Sequence, residues 1–136
     1  RLMENLGCAQ ALTGYFQTKM SSRALGRIIY LAPWAWDRFT DPIRYETVKA
    51  GATALCQAMA PEIAGSSVNT NCIVPGYIRS VRPNPIEKAM KTDVVRQIPS
   101  GRLGEIQDIT DAVLYLIGDA ARYLTGQVLH VTGGLR

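Results

Sequence analysis

Val68-Asn69-Thr70-Asn71-Cys72-Ile73-Val74-Pro75-Gly76 is the stretch on which the fold turns. The chain enters it through Gly65-Ser66-Ser67 and leaves it at Pro75-Gly76, so a short β-rich run is bounded by turn residues on both sides. Such a run reads as a buried strand. Two more runs have the same form: Arg27-Ile28-Ile29-Tyr30-Leu31-Ala32, between Gly26 and Pro33, and Gln127-Val128-Leu129-His130-Val131, ahead of Gly133-Gly134.

The segments between these runs have helical spacing. Leu2, Leu6, Ala9, Leu12, Phe16 and Met20 recur every three or four residues, predicting a helix over about residues 1–22. Asp41-Pro42 is a helix start, with a capping side chain followed by proline at the first helical position. The helix it opens runs through Tyr45, Val48, Ala52, Leu55, Ala58 and Met59, and Pro61 is expected to end or kink it. Ile106, Ile109, Val113, Leu116, Ile117 and Ala120 mark one face of another helix. Residues 77–104, rich in proline, glycine and charge, read as a long functional loop or lid.

Strands separated by helices imply the α/β class, a parallel sheet with helices on both faces. Three strands are few for a doubly wound domain, and the first would present an open apolar edge. The chain reads as half of a larger sheet. Leu2-Met3-Glu4-Asn5-Leu6 reads as helix already under way, with no cap, secretory signal or transit composition before it.

Composition excludes several function classes. Of 136 residues, 47% are hydrophobic and 19% charged, which is ample apolar surface for a folded domain. Apolar runs such as Ile28 to Pro33 are far too short to span a bilayer, so no membrane segment is expected. The net charge of +4 is scattered along the chain, which argues against nucleic acid as a partner. Cys8, Cys56 and Cys72 are widely spaced and odd in number, so the expectation is reduced core thiols in a cytoplasmic protein, with no disulfide framework and no metal site. The single histidine, His130, lies in a strand-like run and reads as structural.

Tyr45 and Lys49, four residues apart on the second helix, project from the same face. A phenol with a pKa near 10 is a poor acid or base at neutral pH. A cation one turn away favours the phenolate and lowers that pKa, which makes a usable acid–base pair.

In this context the sequence resembles the carboxy-terminal half of the short-chain dehydrogenase/reductases, of the 3-oxoacyl-carrier-protein reductase type. The resemblance rests on Asn5-Leu6, Gly26-Arg27-Ile28-Ile29, Tyr45-Glu46-Thr47-Val48-Lys49-Ala50-Gly51 and Asn71-Cys72-Ile73-Val74-Pro75-Gly76-Tyr77-Ile78-Arg79-Ser80. It continues through Ile98-Pro99-Ser100-Gly101-Arg102-Leu103-Gly104-Glu105 and Leu124-Thr125-Gly126-Gln127-Val128-Leu129-His130-Val131-Thr132-Gly133-Gly134. These pieces keep the family's order and separations over almost all of the chain. The implied fold is the carboxy-terminal part of a doubly wound, Rossmann-like parallel sheet. Residues 1–136 would then be one portion of a single domain, without its amino-terminal dinucleotide-binding half.

The resemblance implies catalytic roles for Tyr45, Lys49 and Asn5. Tyr45 would be the acid–base, Lys49 would lower its pKa and bind the nicotinamide ribose, and Asn5 would hold a water of the proton relay. Pro75, Gly76 and Ile78 match the loop that passes the nicotinamide, and Ser80 stands where a threonine is usual near the carboxamide. The implied cofactor is NAD or NADP. The implied substrate is an acyl thioester or another carbonyl compound, and Arg79, Arg82, Lys88 and Lys91 would suit a phosphorylated carrier. The implied partner is a second chain, in a homo- or hetero-oligomer joined through the first two helices. The small residues Ala50, Gly51, Ala52, Ala54 and Ala58 would allow close helix approach there.

Two departures stand against the matches. The family carries a serine thirteen residues before the tyrosine. Counting back from Tyr45 gives Ala32, and counting along the strand gives Pro33, neither of which has a hydroxyl. The glycine-rich turn that cradles a dinucleotide's pyrophosphate is also absent from these residues. Two readings follow: part of an NAD(P)-dependent carbonyl reductase or alcohol dehydrogenase, or a reductase-like pseudoenzyme subunit with a structural role.

Overall fold

The computed structural model describes residues 2–22 and 25–135, and of residues 2–5 the backbone alone. Strands β1 (Gly26–Leu31), β2 (Val68–Pro75) and β3 (Val128–Val131) form one sheet in that spatial order. Both pairings are parallel: Tyr30 lies opposite Cys72, and Cys72 opposite Val128. The three β-rich runs of the sequence are therefore neighbours in one parallel sheet, as expected. The helices are α1 (Leu2–Met20), α2 (Pro42–Ile63), α3 (Pro85–Gln97) and α4 (Ile106–Ile117), with a short 3-10 turn at Ala35–Phe39.

The two-residue period of the strands sends alternate side chains to opposite faces. Tyr30, Ala32, Cys72, Val74 and Val128 form one apolar layer with Cys56 of α2. Ile29, Ile73 and Val131 form the other, with Ile109, Ala112, Val113 and Leu116 of α4. Helices thus cover both faces of the sheet, and the fold is the α/β, Rossmann-like arrangement that the strand–helix alternation implies. Ile73 is completely buried, a contribution of about 1.5–3 kcal/mol for a side chain of its size. A third cluster, Ala35, Trp36, Tyr77, Val94, Ile98 and Leu103, holds α3 against the 3-10 turn.

Local chemistry explains where the helices begin. The Asp41 carboxylate accepts the backbone N–H of Arg44 at 2.9 Å, with Pro42 following it. At α4, Asp108 reaches back to accept the Glu105 N–H at 2.7 Å and also takes a forked pair of bonds from Arg102 at 2.8 and 3.0 Å.

The structure corrects two expectations, the loop over 77–104 and the core placement of Cys8. Residues 77–104 are not a plain loop, because α3 occupies Pro85–Gln97. Its prolines mislead: Pro85 sits at the first helical turn, where no N–H is needed, and Asn84 caps the helix by accepting the Glu87 N–H at 2.8 Å. Pro61 lies in the final turn of α2, close to the end that was expected of it. The helix continues to Ile63, so the proline costs only one bond in the final turn. Cys8 is exposed, and only Cys56 and Cys72 are core thiols. His130 lies exposed on β3. Among the described residues, no helix is long and apolar enough to cross a membrane.

Asn71 fastens β3 to the sheet from within. Its buried amide donates to the Leu124 carbonyl at 3.0 Å and accepts from the Gln127 N–H at 3.0 Å, fixing the approach to β3. Asn71→Ala leaves the Gln127 N–H without its acceptor and should lower stability by about 1–3 kcal/mol, read as a lower urea midpoint.

The Arg102 guanidinium and the Glu105 N–H hold the Asp108 carboxyl down to about 2, from an ordinary 3.8. A depressed acid stabilises the fold above its unfolded value and loses that contribution as pH falls through the folded one. Unfolding titrations should therefore show stability falling between about pH 4 and about pH 2. Asp108→Asn should flatten that acid limb.

Candidate active site

The carboxyl ends of β2 and β3 open onto a cleft of about 620 Å³, within the size range of small-molecule sites. Its floor is Val74-Pro75-Gly76-Tyr77, and its walls carry Tyr45, Glu46 and Lys49 from α2, Arg38 from the 3-10 turn, and His130 and Thr132 from the end of β3. Open α/β sheets bind ligands in this position, at the carboxyl ends of the strands.

The floor is built by close approach. The Gly76 N–H donates to the Val131 carbonyl at 2.9 Å, and the Gly76 carbonyl accepts from Ala35 at 3.4 Å. A Cβ on Gly76 would come within 2.8 Å of the Thr132 Cα, a backbone atom, so only glycine fits without moving β3. The 3-10 turn is anchored through Trp36, whose indole N–H donates to the Ile78 carbonyl at 2.8 Å and whose ring meets Tyr77 edge-on at 4.8 Å. Arg38 and the Tyr45 region are therefore displayed from a fixed turn.

The structure brings Tyr45, Lys49, Pro75 and Gly76 together at this cleft. It does not bring Ile78 or Ser80 there. The Ile78 side chain is buried under α4 with Ile73, Ile109 and Leu116. Ser80 lies beyond it, where its backbone N–H donates to Glu87 Oε1 at 3.0 Å. Asn5 falls within α1, and its side chain lies outside the described residues. Ala32 is 2% exposed and packs in the core, whereas Pro33 shares a small pocket with Tyr45 and Val48. Neither position offers a hydroxyl.

The electrostatics of Tyr45 reverse one expectation. Lys49 pulls the phenol down, as a cation should, with its ammonium 5.1 Å from the ring centre. Burial outweighs that pull, and Glu46 and Tyr77 add to it, so the phenol lies above its ordinary 10.0. Lys49 is also held by Glu46 Oε2 at 2.7 Å, which spends part of its field. Burial therefore favours the neutral, protonated phenol of Tyr45.

Sequence reading missed Glu46, Arg38, Tyr77 and Thr132, which carry no spacing signal of their own. It also missed Glu87, which is 2% exposed. One oxygen of Glu87 takes the Ser80 N–H, and the other is buried with no partner among the described residues. Glu87 thus ties α3 to the segment that follows the cleft floor.

Comparison with known proteins places this geometry in a family. The family model described as enoyl-(acyl carrier protein) reductase matches residues 3–136. The (2S)-[(R)-hydroxy(phenyl)methyl]succinyl-CoA dehydrogenase subunit BbsD of Thauera aromatica is 32% identical over 127 residues, covering 93% of this chain and 50% of that protein. The 3-oxoacyl-[acyl-carrier-protein] reductase FabG of Salmonella typhimurium is 35% identical over 132 residues, covering 96% and 54%. Among solved structures, a protein from Beutenbergia cavernae assigned as an NAD(P) dependent gluconate 5-dehydrogenase, with NADP bound at low occupancy, superposes with a TM-score of 0.83. It is 31% identical, with 98% of this chain and 55% of that one covered. The chain belongs to the short-chain dehydrogenase/reductase family. It spans about half the length of the curated relatives it matches.

Freeing Lys49 from its carboxylate should restore its full pull on the phenol. Glu46→Gln is expected to lower the Tyr45 pKa relative to the unmodified protein, measured by NMR titration of ring-labelled tyrosine.

Proposed function

We propose that this chain supplies the proton-transfer side of an NAD(P)-dependent carbonyl reductase or secondary alcohol dehydrogenase. The observation that carries this reading is the convergence of Tyr45 and Lys49 with the Pro75–Gly76 floor in one cleft at the carboxyl ends of the strands. The Gly76 backbone, on which a side chain would collide with Thr132, lets the chain after β2 pass close to the end of β3 and so shapes this floor. Bound there, the nicotinamide would supply or accept a hydride. Tyr45 donates its phenolic proton to the substrate oxygen, and Lys49 orients the ribose and keeps the phenol's proton mobile. In this reading residues 1–136 form the carboxy-terminal portion of one domain, and the pyrophosphate is held by residues outside them.

The substrate is a carbonyl compound of the 3-oxoacyl kind. Arg79, Arg82, Lys88 and Lys91, all exposed beyond the cleft floor, suit a phosphorylated carrier. Ala50, Ala54 and Ala58 are exposed along α2, and Gly51 packs against Leu6 of α1. The remaining face of this helix pair fits a second subunit. A pseudoenzyme reading is favoured by one specific observation, the missing hydroxyl at Ala32 and Pro33, and the same experiment tests it.

Full-length protein is assayed with NADPH or NADH and a 3-oxoacyl thioester. Tyr45→Phe should lower kcat by about 10²-fold or more, because it deletes the general acid. Pro33→Ser, next to Tyr45, should raise kcat about tenfold by adding a donor to the forming alkoxide. Ala32→Ser would bury its hydroxyl in the core and should give no gain. A flat response to all three substitutions, with cofactor bound, would favour the structural reading.

A further inference from the structure

The cleft holds a cation that the proton-transfer pair does not use. The formally charged side chains lining it are Arg38, Lys49 and Glu46, two cations against one carboxylate. Glu46 is committed first to Lys49, at 2.7 Å through Oε2, and meets Arg38 only loosely, at 3.8 Å from Nε to Oε1. The two terminal nitrogens of Arg38 have no hydrogen-bond partner among the described residues, and the side chain is 55% exposed. We propose that the Arg38 guanidinium is the substrate anchor of this cleft, and that the carbonyl substrate carries a free carboxylate near the reacting carbonyl.

This rests on the carbonyl-reducing reading of the cleft but replaces the carrier-bound thioester with a free 3-oxo acid, because a 3-oxoacyl thioester has no carboxylate beside the reacting carbonyl. A planar guanidinium with its terminal N–H groups unengaged matches the two oxygens of a carboxylate, which a single ammonium does not. Arg38 is also held in place. It rides the 3-10 turn that the buried Trp36 pins to Ile78, and that turn closes with Thr40 and Asp41 N–H groups donating to the Asp37 carbonyl at 3.2 and 3.1 Å. The field of Arg38 reaches the reacting region, because it pulls down the phenols of both Tyr45 and Tyr77 against the effect of their burial. The anchor has a further use here. Without a hydroxyl at Ala32 or Pro33, Tyr45 has no second donor from the end of β1 to help it hold the carbonyl, so a contact to another part of the substrate would aid orientation. A carboxylate on Arg38 provides it.

The test uses full-length protein and two probes that differ in one charge, acetoacetate and methyl acetoacetate. Binding is followed through the fluorescence of Trp36, which shares the turn with Arg38, and turnover is measured separately with NADPH. Wild-type protein should bind acetoacetate at least about tenfold more tightly than the ester, the yield of one charged hydrogen-bonded pair. Arg38→Leu should erase that preference while leaving ester binding and the KM for NADPH within about twofold, and Arg38→Lys should recover only part of it. Equal binding of acid and ester by wild-type protein overturns the proposal. So does an Arg38→Leu variant that weakens both probes alike or that raises only the KM for NADPH. Arg38-dependent binding of acetoacetate without turnover of either probe or of the 3-oxoacyl thioester would remove the reductase reading and leave the anchor standing.

Discussion

The rest of the structure depends on the burial of β2 between two parallel neighbours and two layers of helix. A central strand has no edge and no solvated face, so the backbone groups of Val68–Pro75 find partners in β1, in β3, in the Gly126-Gln127 backbone that leads into β3, or in a side chain. Thr125 Oγ1 accepts the Thr70 N–H at 3.2 Å, and the Asn71 side chain fastens the approach to β3 through Leu124 and Gln127. Once β2 is fixed, its carboxyl end must emerge between Ala35 and Val131, and Gly76 follows because only glycine passes Thr132 at that distance. The cleft floor is thus a consequence of how the sheet closes its hydrogen bonds.

The chemistry of the cleft follows from position. α2 begins at a capped turn beside the strand ends, so its first two turns carry Tyr45 and Lys49 into the opening. Partial burial keeps the phenol protonated, while Lys49 and Arg38 oppose that effect and Glu46 moderates both cations. The result is a proton donor with a positive charge to spare nearby. That balance suits a site where negative charge gathers on a substrate oxygen.

Much of the fold was legible in the sequence because its signals are local. The three β-rich runs, the Asp41-Pro42 start and the apolar stripe of α4 each depend on neighbours a few residues apart. α3 was not read, although Ile86, Met90 and Val94 recur every four residues, because Pro83 and Pro85 look like breakers until Asn84 is seen to cap a helix. In the site, Tyr45 and Lys49 were legible from their shared helix face, and Pro75-Gly76 from the strand end. Arg38, Tyr77 and Thr132 were not, since three separate segments meet there only through tertiary packing. The raised phenol was misread for a related reason: the spacing shows the nearby cation, while burial is decided by the rest of the chain.

The central claim is that the Tyr45 cleft receives the nicotinamide end of a dinucleotide. The most direct measurement is an NMR titration of full-length protein carrying ring-labelled tyrosine, with the Tyr45 signal assigned by its loss in Tyr45→Phe. Addition of NADPH and of nicotinamide mononucleotide should each shift that signal, and the adenosine half of the cofactor alone should leave it in place. A Tyr45 signal unmoved by saturating NADPH, or moved equally by the adenosine half, would contradict the account.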